Sequence, residues 1–345
     1  MMANSKPVSL WLLINALMVF IMVIIGGLTR LTDSGLSMTD WNFFSGIIPP
    51  TSEQDWNLLF DEYKKFPEYK IINFGMSISE FKIIFFWEYI HRVWGRLIGL
   101  TFVIPFVYFL YKKRISKQLL IFLITILLMG CFQGFMGWYM VSSGLVDKPD
   151  VSQYRLASHL SIAFLIYSSL VYLAWKLWPR KVLFRNGQHK ILPTSKFSLC
   201  YVLLFITIVS GAFVSGTKAG LSYNNFPFMG DNLVPDEIFQ MTPMWVNFFE
   251  NTSLIQLNHR ILATLTGLII LFISLNYMKY YNRYSSTNKF LLVSITIGII
   301  TQYLLGVSVL INYVPISLGL MHQLGGLVNL TLITLVISNN LRHKI

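Results

Sequence analysis

The chain has 345 residues, of which 54% are hydrophobic and only 12% are charged, and its formal net charge is +12. Several apolar runs reach about 20 residues, the length that crosses a bilayer, so the composition predicts a polytopic membrane protein and excludes a soluble globular domain. The two cysteines, Cys131 and Cys200, both fall inside apolar runs. We therefore expect no disulfide framework, no covalent haem attachment and no thiolate metal site.

The apolar runs predict an all-α integral membrane protein with eight transmembrane helices. In chain order, the predicted spans are 9–28, 82–111, 118–140, 153–178, 196–216, 255–281, 288–312 and 316–341. Only about eight residues precede the first span, so we expect no cleavable signal peptide. The first span then acts as its own insertion signal.

Charged residues are divided unequally between the two sides of the membrane. The connections 112–117, 179–195 and 282–287, together with both termini, carry lysine and arginine but no acidic residue. All 15 Asp and Glu residues fall in the other loops or just inside the spans that leave them. The positive-inside rule therefore places both termini in the cytoplasm, and this distribution explains the net charge without nucleic acid as a partner.

Two outer loops are long, 29–81 and 217–254. The first contains four apolar residues at helical spacing, which predicts a short helix on the membrane surface. These residues are Trp56, Leu59, Phe60 and Tyr63.

The two halves of the chain resemble each other. SGAFVSGTKAGLSYNNF at 210–226 echoes GGLTRLTDSGLSMTDWN at 26–42. Further matches are His91-Arg92 with His259-Arg260, Gln133 and Gly137 with Gln302 and Gly306, and His159 with His322. Because each half has four spans, both halves insert the same way up, which predicts two four-helix bundles related by a pseudo-twofold axis along the membrane normal.

We accordingly divide the chain into three parts. Residues 1–178 form the first bundle with the long outer loop, 179–195 form a cytoplasmic linker, and 196–345 form the second bundle.

Four of the six histidines lie in the outer halves of spans two, four, six and eight: His91, His159, His259 and His322. Each is followed four residues later by a small residue, which leaves a recess one helical turn away. The small residues are Gly95, Ala163, Ala263 and Gly326. A lone histidine in a membrane helix more often makes an interhelical hydrogen bond, but four in register across a repeat favour two haem sites, one per bundle.

Arginine and metal chemistry support the same interpretation. Four guanidinium groups at the outer rim would pair with carboxylates such as haem propionates. They belong to Arg92, Arg96, Arg155 and Arg260. Zinc or copper fits less well, because each histidine pair lacks further cysteine or carboxylate ligands, except beside Glu88.

Glu88 distinguishes the two halves. It precedes His91 by three residues, so both share one face of a helix, whereas the aligned position in the second half is Gln256. A carboxylate beside a haem ligand suits a site that moves protons, and the alternative is a structural salt bridge to Arg92. We therefore predict that the first half is the reactive site and that the second is structural or transfers electrons.

Several segments resemble the heme A synthases over nearly the whole chain: GGLTRLTDSGLSMTDW, EFKIIFFWEYIHRVWGR, LASHL, LNHR and MHQLGG. The resemblance implies oxidation of a ring methyl of heme O to a formyl group, giving heme A for terminal oxidase assembly. It also implies that His91 and His159 bind the substrate haem, with Glu88 as the catalytic residue. His259 and His322 would then ligate a resident haem b.

The resemblance extends to partners and location. The chain is similar to the alphaproteobacterial and mitochondrial branch, and it lacks the outer-loop cysteine pairs of another branch. Implied partners are molecular oxygen or water, an electron donor that the sequence does not identify, and heme O synthase; a homo-oligomer stays open. We expect the inner membrane of a bacterium in preference to the mitochondrial inner membrane.

Two other functions remain as alternatives. A di-haem b-type cytochrome that only transfers electrons would explain the four histidines, but it would explain neither Glu88 nor the long outer loop. A haem transporter or chaperone would hold exchangeable haem at both sites.

Overall fold

The computed structural model describes residues 6–38, 48–145, 149–179 and 191–341. Most of the predicted linker, residues 180–190, lies outside the described residues, as do His189 and His343. Within the described ranges the protein is helical and contains no β-strand. Its α-helices are α1 Lys6–Leu31, α2 Glu53–Tyr63, α3 Pro67–Ile71, α4 Ile78–Tyr111, α5 Lys117–Gly144, α6 Gln153–Leu177, α7 Thr194–Gly216, α8 Asn247–Glu250, α9 Thr252–Met278, α10 Ser286–Ile311 and α11 Ile316–Leu341.

Among the described residues, eight helices are long and apolar enough to span a membrane: α1, α4, α5, α6, α7, α9, α10 and α11. The prediction of an all-α, multi-pass membrane protein is therefore confirmed. We call the end of the molecule that carries loops 29–81 and 217–254 the outer end.

The spanning helices form two groups of four along the chain. In the first half α1 packs against α4 and α6, and α6 packs against α5. In the second half α7 packs against α9 and α11, and α10 packs against both α9 and α11. Helices α1, α6, α7 and α11 also join the two groups to each other. This packing is consistent with the predicted pair of four-helix bundles.

The longest helix, α4, begins four residues earlier than the predicted span. Ser77 caps it by accepting a hydrogen bond from the backbone N–H of Glu80, and the Glu80 carboxylate accepts one from the N–H of Ser77 in return. This capping box stabilises the helix start. With 34 residues, α4 extends about 50 Å, well beyond a hydrocarbon layer of about 30 Å. Its first turns therefore offer a surface for protein packing.

Helix α2 uses that surface. The predicted short helix is present, but its apolar face does not rest on the membrane surface as we expected. Phe60 and Tyr63 are buried in a cluster with Phe81 and Phe85 of α4. The Trp56 ring also meets the Phe85 ring edge-on, at a centroid separation of 5.1 Å. The projecting turns of α4 thus bury the face that sequence reasoning assigned to lipid.

Helices α1 and α11 approach each other closely near the outer end. A Cβ atom on Gly27 would lie 2.8 Å from Cδ1 of Leu320 and 3.0 Å from Oε1 of Gln323, so only glycine fits there without a shift. The Gln323 side chain donates a hydrogen bond to the Val23 carbonyl, 3.3 Å away. The first half is therefore joined to the second directly beside His322.

Candidate functional site

The first histidine pair is formed by α4 and α6. His91 packs against α1, where a Cβ atom on Gly26 would lie 3.1 Å from Cε1 of the ring. Nε2 of His159 lies 3.2 Å from the amide nitrogen of Gln133 on α5. Nδ1 of both histidines is buried and has no hydrogen-bond partner among the described residues. Unpaired buried polar atoms are uncommon in folded proteins, so this pair has the character of a ligand site.

The second pair is formed by α9 and α11. The ring centroids of His259 and His322 lie 6.4 Å apart, and the rings are inclined at 86°. Metal–imidazole bonds are about 2 Å long, so two imidazoles that bind one metal ion from opposite sides have centroids roughly 6 Å apart. The separation of this pair is one at which both imidazoles would hold a single haem.

Ser210 on α7 orients the first of these rings. Its hydroxyl donates to the Thr207 carbonyl at 2.7 Å and lies 2.8 Å from Nδ1 of His259. A hydroxyl has one proton to donate, so the serine oxygen accepts from Nδ1–H of the imidazole. This tautomer leaves Nε2 with the lone pair that a metal ion requires. The corresponding residue beside Gly26 is Ile25, which cannot make this bond.

The donor set of each pair suits a haem better than a bare metal ion. No cluster of three or more histidine, cysteine, aspartate or glutamate side chains with metal-binding geometry occurs in the part of the chain that the structure describes. Two imidazoles leave most positions of an ordinary metal site unfilled, whereas a porphyrin brings its own nitrogen ligands. The residues present therefore fit a haem.

Glu88 is 3% exposed and accepts hydrogen bonds at both carboxylate oxygens. One oxygen accepts from the Ser37 hydroxyl and from the backbone N–H of Met38, both at 2.8 Å. The other accepts from the Arg92 guanidinium at 3.1 and 2.5 Å. Arg92 also donates to the Met38 carbonyl at 2.7 Å. The salt bridge that we considered as the alternative is therefore present within α4, and the hydrogen bonds to Ser37 and Met38 attach the end of loop segment 34–38 to this helix.

The second half builds a neutral version of the same connection. Gln256 and Arg260 both donate to the Tyr223 carbonyl, each at 3.0 Å. Tyr223 aligns with Met38 in the repeat, so the two halves close their outer loops in the same way. The difference is that a buried carboxyl group lies beside His91, whereas an amide lies beside His259.

The rim arginines are bound to the protein itself. Arg155 donates to the Tyr139 carbonyl at 2.5 Å, and its guanidinium lies 3.6 Å from the centre of the Tyr139 ring. Arg260 additionally donates to the carbonyls of Asn225 and Phe228, both at 3.1 Å. Arg96 is half-buried on α4. A role of these arginines in binding propionates stays a prediction.

Sequence reasoning missed the glycines that support the rings. Gly211 would place a Cβ 3.0 Å from Cε1 of His259, and Gly306 would place one 2.9 Å from Cε1 of His322. Gly26 supports His91 in the same manner. The signal was available, because Gly26 and Gly211 match in the repeat, but only the packing shows that the matching glycines carry the imidazoles.

The fold and these two histidine pairs define a multi-pass membrane protein with candidate haem sites. The chain belongs to the cytochrome oxidase assembly protein family, which it matches over residues 9–334.

Individual relatives agree with that assignment. The chain is 43% identical to heme A synthase of Nitrosospira multiformis, covering 99% of this chain and 95% of the relative. It is 43% identical to heme A synthase of Rhodospirillum centenum, covering 94% of this chain and 86% of the relative. It is also 44% identical to heme A synthase COX15 of Arabidopsis thaliana, covering 98% of this chain and 75% of the relative. These similarities confirm the resemblance to the heme A synthases and the expectation of an oxidoreductase.

Proposed function

We propose that the protein oxidises the ring methyl of heme O to a formyl group and so produces heme A for terminal oxidase assembly. His91 and His159 bind the substrate haem in the first bundle, 1–178. His259 and His322 hold a haem b in the second bundle, 196–345. The 6.4 Å separation of the second pair is the single observation that supports this proposal most.

The carboxylate of Glu88 supports placing the reaction in the first half. Hydroxylation of a methyl group by molecular oxygen takes up electrons and protons and releases water, and a buried carboxylate beside the substrate passes such protons on. The Ser37 hydroxyl already donates to Glu88, so these two groups form a short hydrogen-bonded chain at the outer end of α4. Haem b, when bound, supplies one-electron redox chemistry to the second half.

The other components follow from the same proposal. Substrate arrives from heme O synthase within the lipid bilayer. With molecular oxygen as the oxygen source an unidentified donor supplies electrons, whereas with water as the source an acceptor would have to remove them. We place the protein in the inner membrane of a bacterium.

Pigment composition is the decisive measurement. The protein is purified from cells that also produce heme O, and the extracted haems are separated by chromatography. We expect heme A together with haem b. Haem b alone, with neither heme O nor heme A, would favour the di-haem electron-transfer cytochrome.

Glu88→Gln separates a catalytic carboxylate from a structural one. Gln256 shows that an amide at this position still connects the helix to the loop carbonyl, so the variant should fold and keep haem b. We expect conversion to fall by about a hundredfold or more, the usual effect of losing a group that transfers protons. Conversion at the normal rate would restrict Glu88 to the salt bridge with Arg92. The control is Glu62→Gln, at an exposed position of α2, which should leave conversion unchanged.

A further inference from the structure

The first bundle is open along one side where the second is closed. Helices α9 and α10 pack closely against each other, whereas their counterparts α4 and α5 contact each other at few positions. The buried aromatic residues Phe102, Phe106 and Phe109 of α4 lie in the half of the helix near the short connection to α5. Two of these rings pack against Trp11 of α1, and the short connection holds α4 and α5 together at this end. The few contacts between the two helices leave them apart over the rest of their length.

Two glycines of α5 explain the gap. Gly130 and Gly134 are exposed, and no atom of the described residues would lie within 4 Å of a Cβ atom on either. Gly130 continues the face of α5 that buries Leu123 and Ile126, yet nothing covers that face at this level in the described structure. The gap thus results from missing side chains on an inward-directed face.

The second half has large residues at the same positions. Alignment of Gln133 with Gln302 places Ile299 opposite Gly130 and Tyr303 opposite Gly134. Ile299 is 6% exposed. The Tyr303 hydroxyl lies within hydrogen-bonding distance of Thr264 on α9, 3.2 Å away. These two side chains fill the seam, which is the space between α9 and α10. In the first half, the glycines leave the corresponding space between α4 and α5 open.

The gap lies at the level of the first histidine pair. Gln133, which is adjacent to Gly134 in the chain, contacts His159. Leu97 and Leu100 on α4, and Phe132 and Phe135 on α5, are large, exposed and apolar. In a membrane these side chains contact lipid, so the gap opens toward the hydrocarbon layer at the level of the histidines.

We propose that the gap between α4 and α5 is the route by which the substrate haem passes between the bilayer and the site at His91 and His159, moving past Gly130 and Gly134 on the way. This inference rests on the proposed function. An apolar chain loses nothing by remaining in hydrocarbon while the macrocycle enters the protein. The closed seam of the second half correspondingly retains its haem b.

The test transfers the second-half residues to the first half. Gly130→Ile with Gly134→Tyr should close the seam, and the open space at both positions makes the change tolerable. Purified protein is mixed with phosphatidylcholine vesicles that contain heme O, and uptake and release are followed by absorbance. We expect both rate constants to fall at least tenfold, with the dissociation constant changed by less than about threefold, because a route alters rates and leaves the bound state unchanged.

Controls keep the result interpretable. Gly267→Leu adds bulk at an equally open position of α9 and should leave uptake of heme O unchanged. Retained haem b shows that the double variant is folded, and Gly134→Leu alone replaces it if haem b is lost. The proposed route would be wrong if a closed-seam variant took up heme O at the wild-type rate. It would also be wrong if the variant bound heme O more weakly while taking it up at the wild-type rate. A wild-type protein that takes up heme O but does not oxidise it when oxygen and a chemical reductant are supplied would instead refute the proposed function and leave the route standing.

Discussion

Glu68 gives the outer loop of the first half a predictable dependence on pH. This residue of α3 is 3% exposed, and its carboxylate accepts a hydrogen bond from the Tyr63 hydroxyl at 2.8 Å. Asn73 donates to the same hydroxyl at 2.8 Å. Burial, reinforced by the charges of Glu88 and Asp33, raises the pKa of Glu68 from 4.5 to about 7.

The raised pKa of Glu68 determines both the direction and the size of the pH dependence of the loop's stability. The folded loop keeps the Glu68 proton to higher pH than the unfolded loop does, so its stabilising contribution is complete below about pH 4.5 and is lost as pH rises to about 7. A shift of about two and a half pKa units, at 1.36 kcal/mol per unit, corresponds to about 3 kcal/mol. The ionised carboxylate therefore lowers the free energy of unfolding of this loop segment at alkaline pH.

Glu68→Gln removes the ionisation and keeps an acceptor for the Tyr63 hydroxyl. We expect its amides in α2 and α3 to exchange with deuterium at nearly the wild-type rate at pH 5. At pH 8, after correction for intrinsic exchange, they should exchange about a hundredfold more slowly than in the wild type, as a difference of about 3 kcal/mol requires. Glu62→Gln, at an exposed position of α2, is the control. An identical pH dependence in Glu68→Gln and the wild type would refute the reasoning.

Two further outcomes are expected. Phe81→Ala removes a fully buried ring from the cluster between α2 and α4 and should destabilise that contact by about 3 to 5 kcal/mol, measured by hydrogen exchange of α2. Phe74→Ala, at an 82% exposed position, should have little effect. Ser210→Ala removes the hydrogen bond to Nδ1 of His259, so the midpoint potential of the bound haem b should change while its content is retained, and Ser210→Thr should restore the wild-type potential; an unchanged potential in Ser210→Ala would contradict the assigned tautomer.

The sequence predicted the helices well because length and apolar content are local properties. The start of α4 could have been placed correctly as well, since Ser77 and Glu80 have the spacing of a capping box. The salt bridge between Glu88 and Arg92 was also readable, as both lie on one helix. The contacts of Glu88 with Ser37 and Met38 were not, because they join residues 51 and 50 positions apart and depend on how loop and helix pack.

The sequence alone indicated some of the differences between the two halves. Aligning Gln133 with Gln302 already pairs Gly134 with Tyr303. The sequence alone does not show on which side of its helix each of these positions lies. Ser210 gave no signal, because a serine in an apolar helix usually bonds its own helix backbone. Only the packing of α7 against α9 brings it to an imidazole.

The close contact of α1 with α11 has a consequence for electron flow. Gly26 touches His91, the next residue, Gly27, packs against Gln323, and Gln323 adjoins His322. The two histidine pairs are thus separated by the thickness of one helix, and both lie toward the outer end. Under the proposed function, an electron exchanged between haems at the two pairs would move sideways in the plane of the membrane. Moving one elementary charge across the whole membrane changes its free energy by about 2.3 kcal/mol per 100 mV of membrane potential, but a step parallel to the membrane changes it by almost nothing. The proposed electron transfer would therefore be almost independent of the membrane potential.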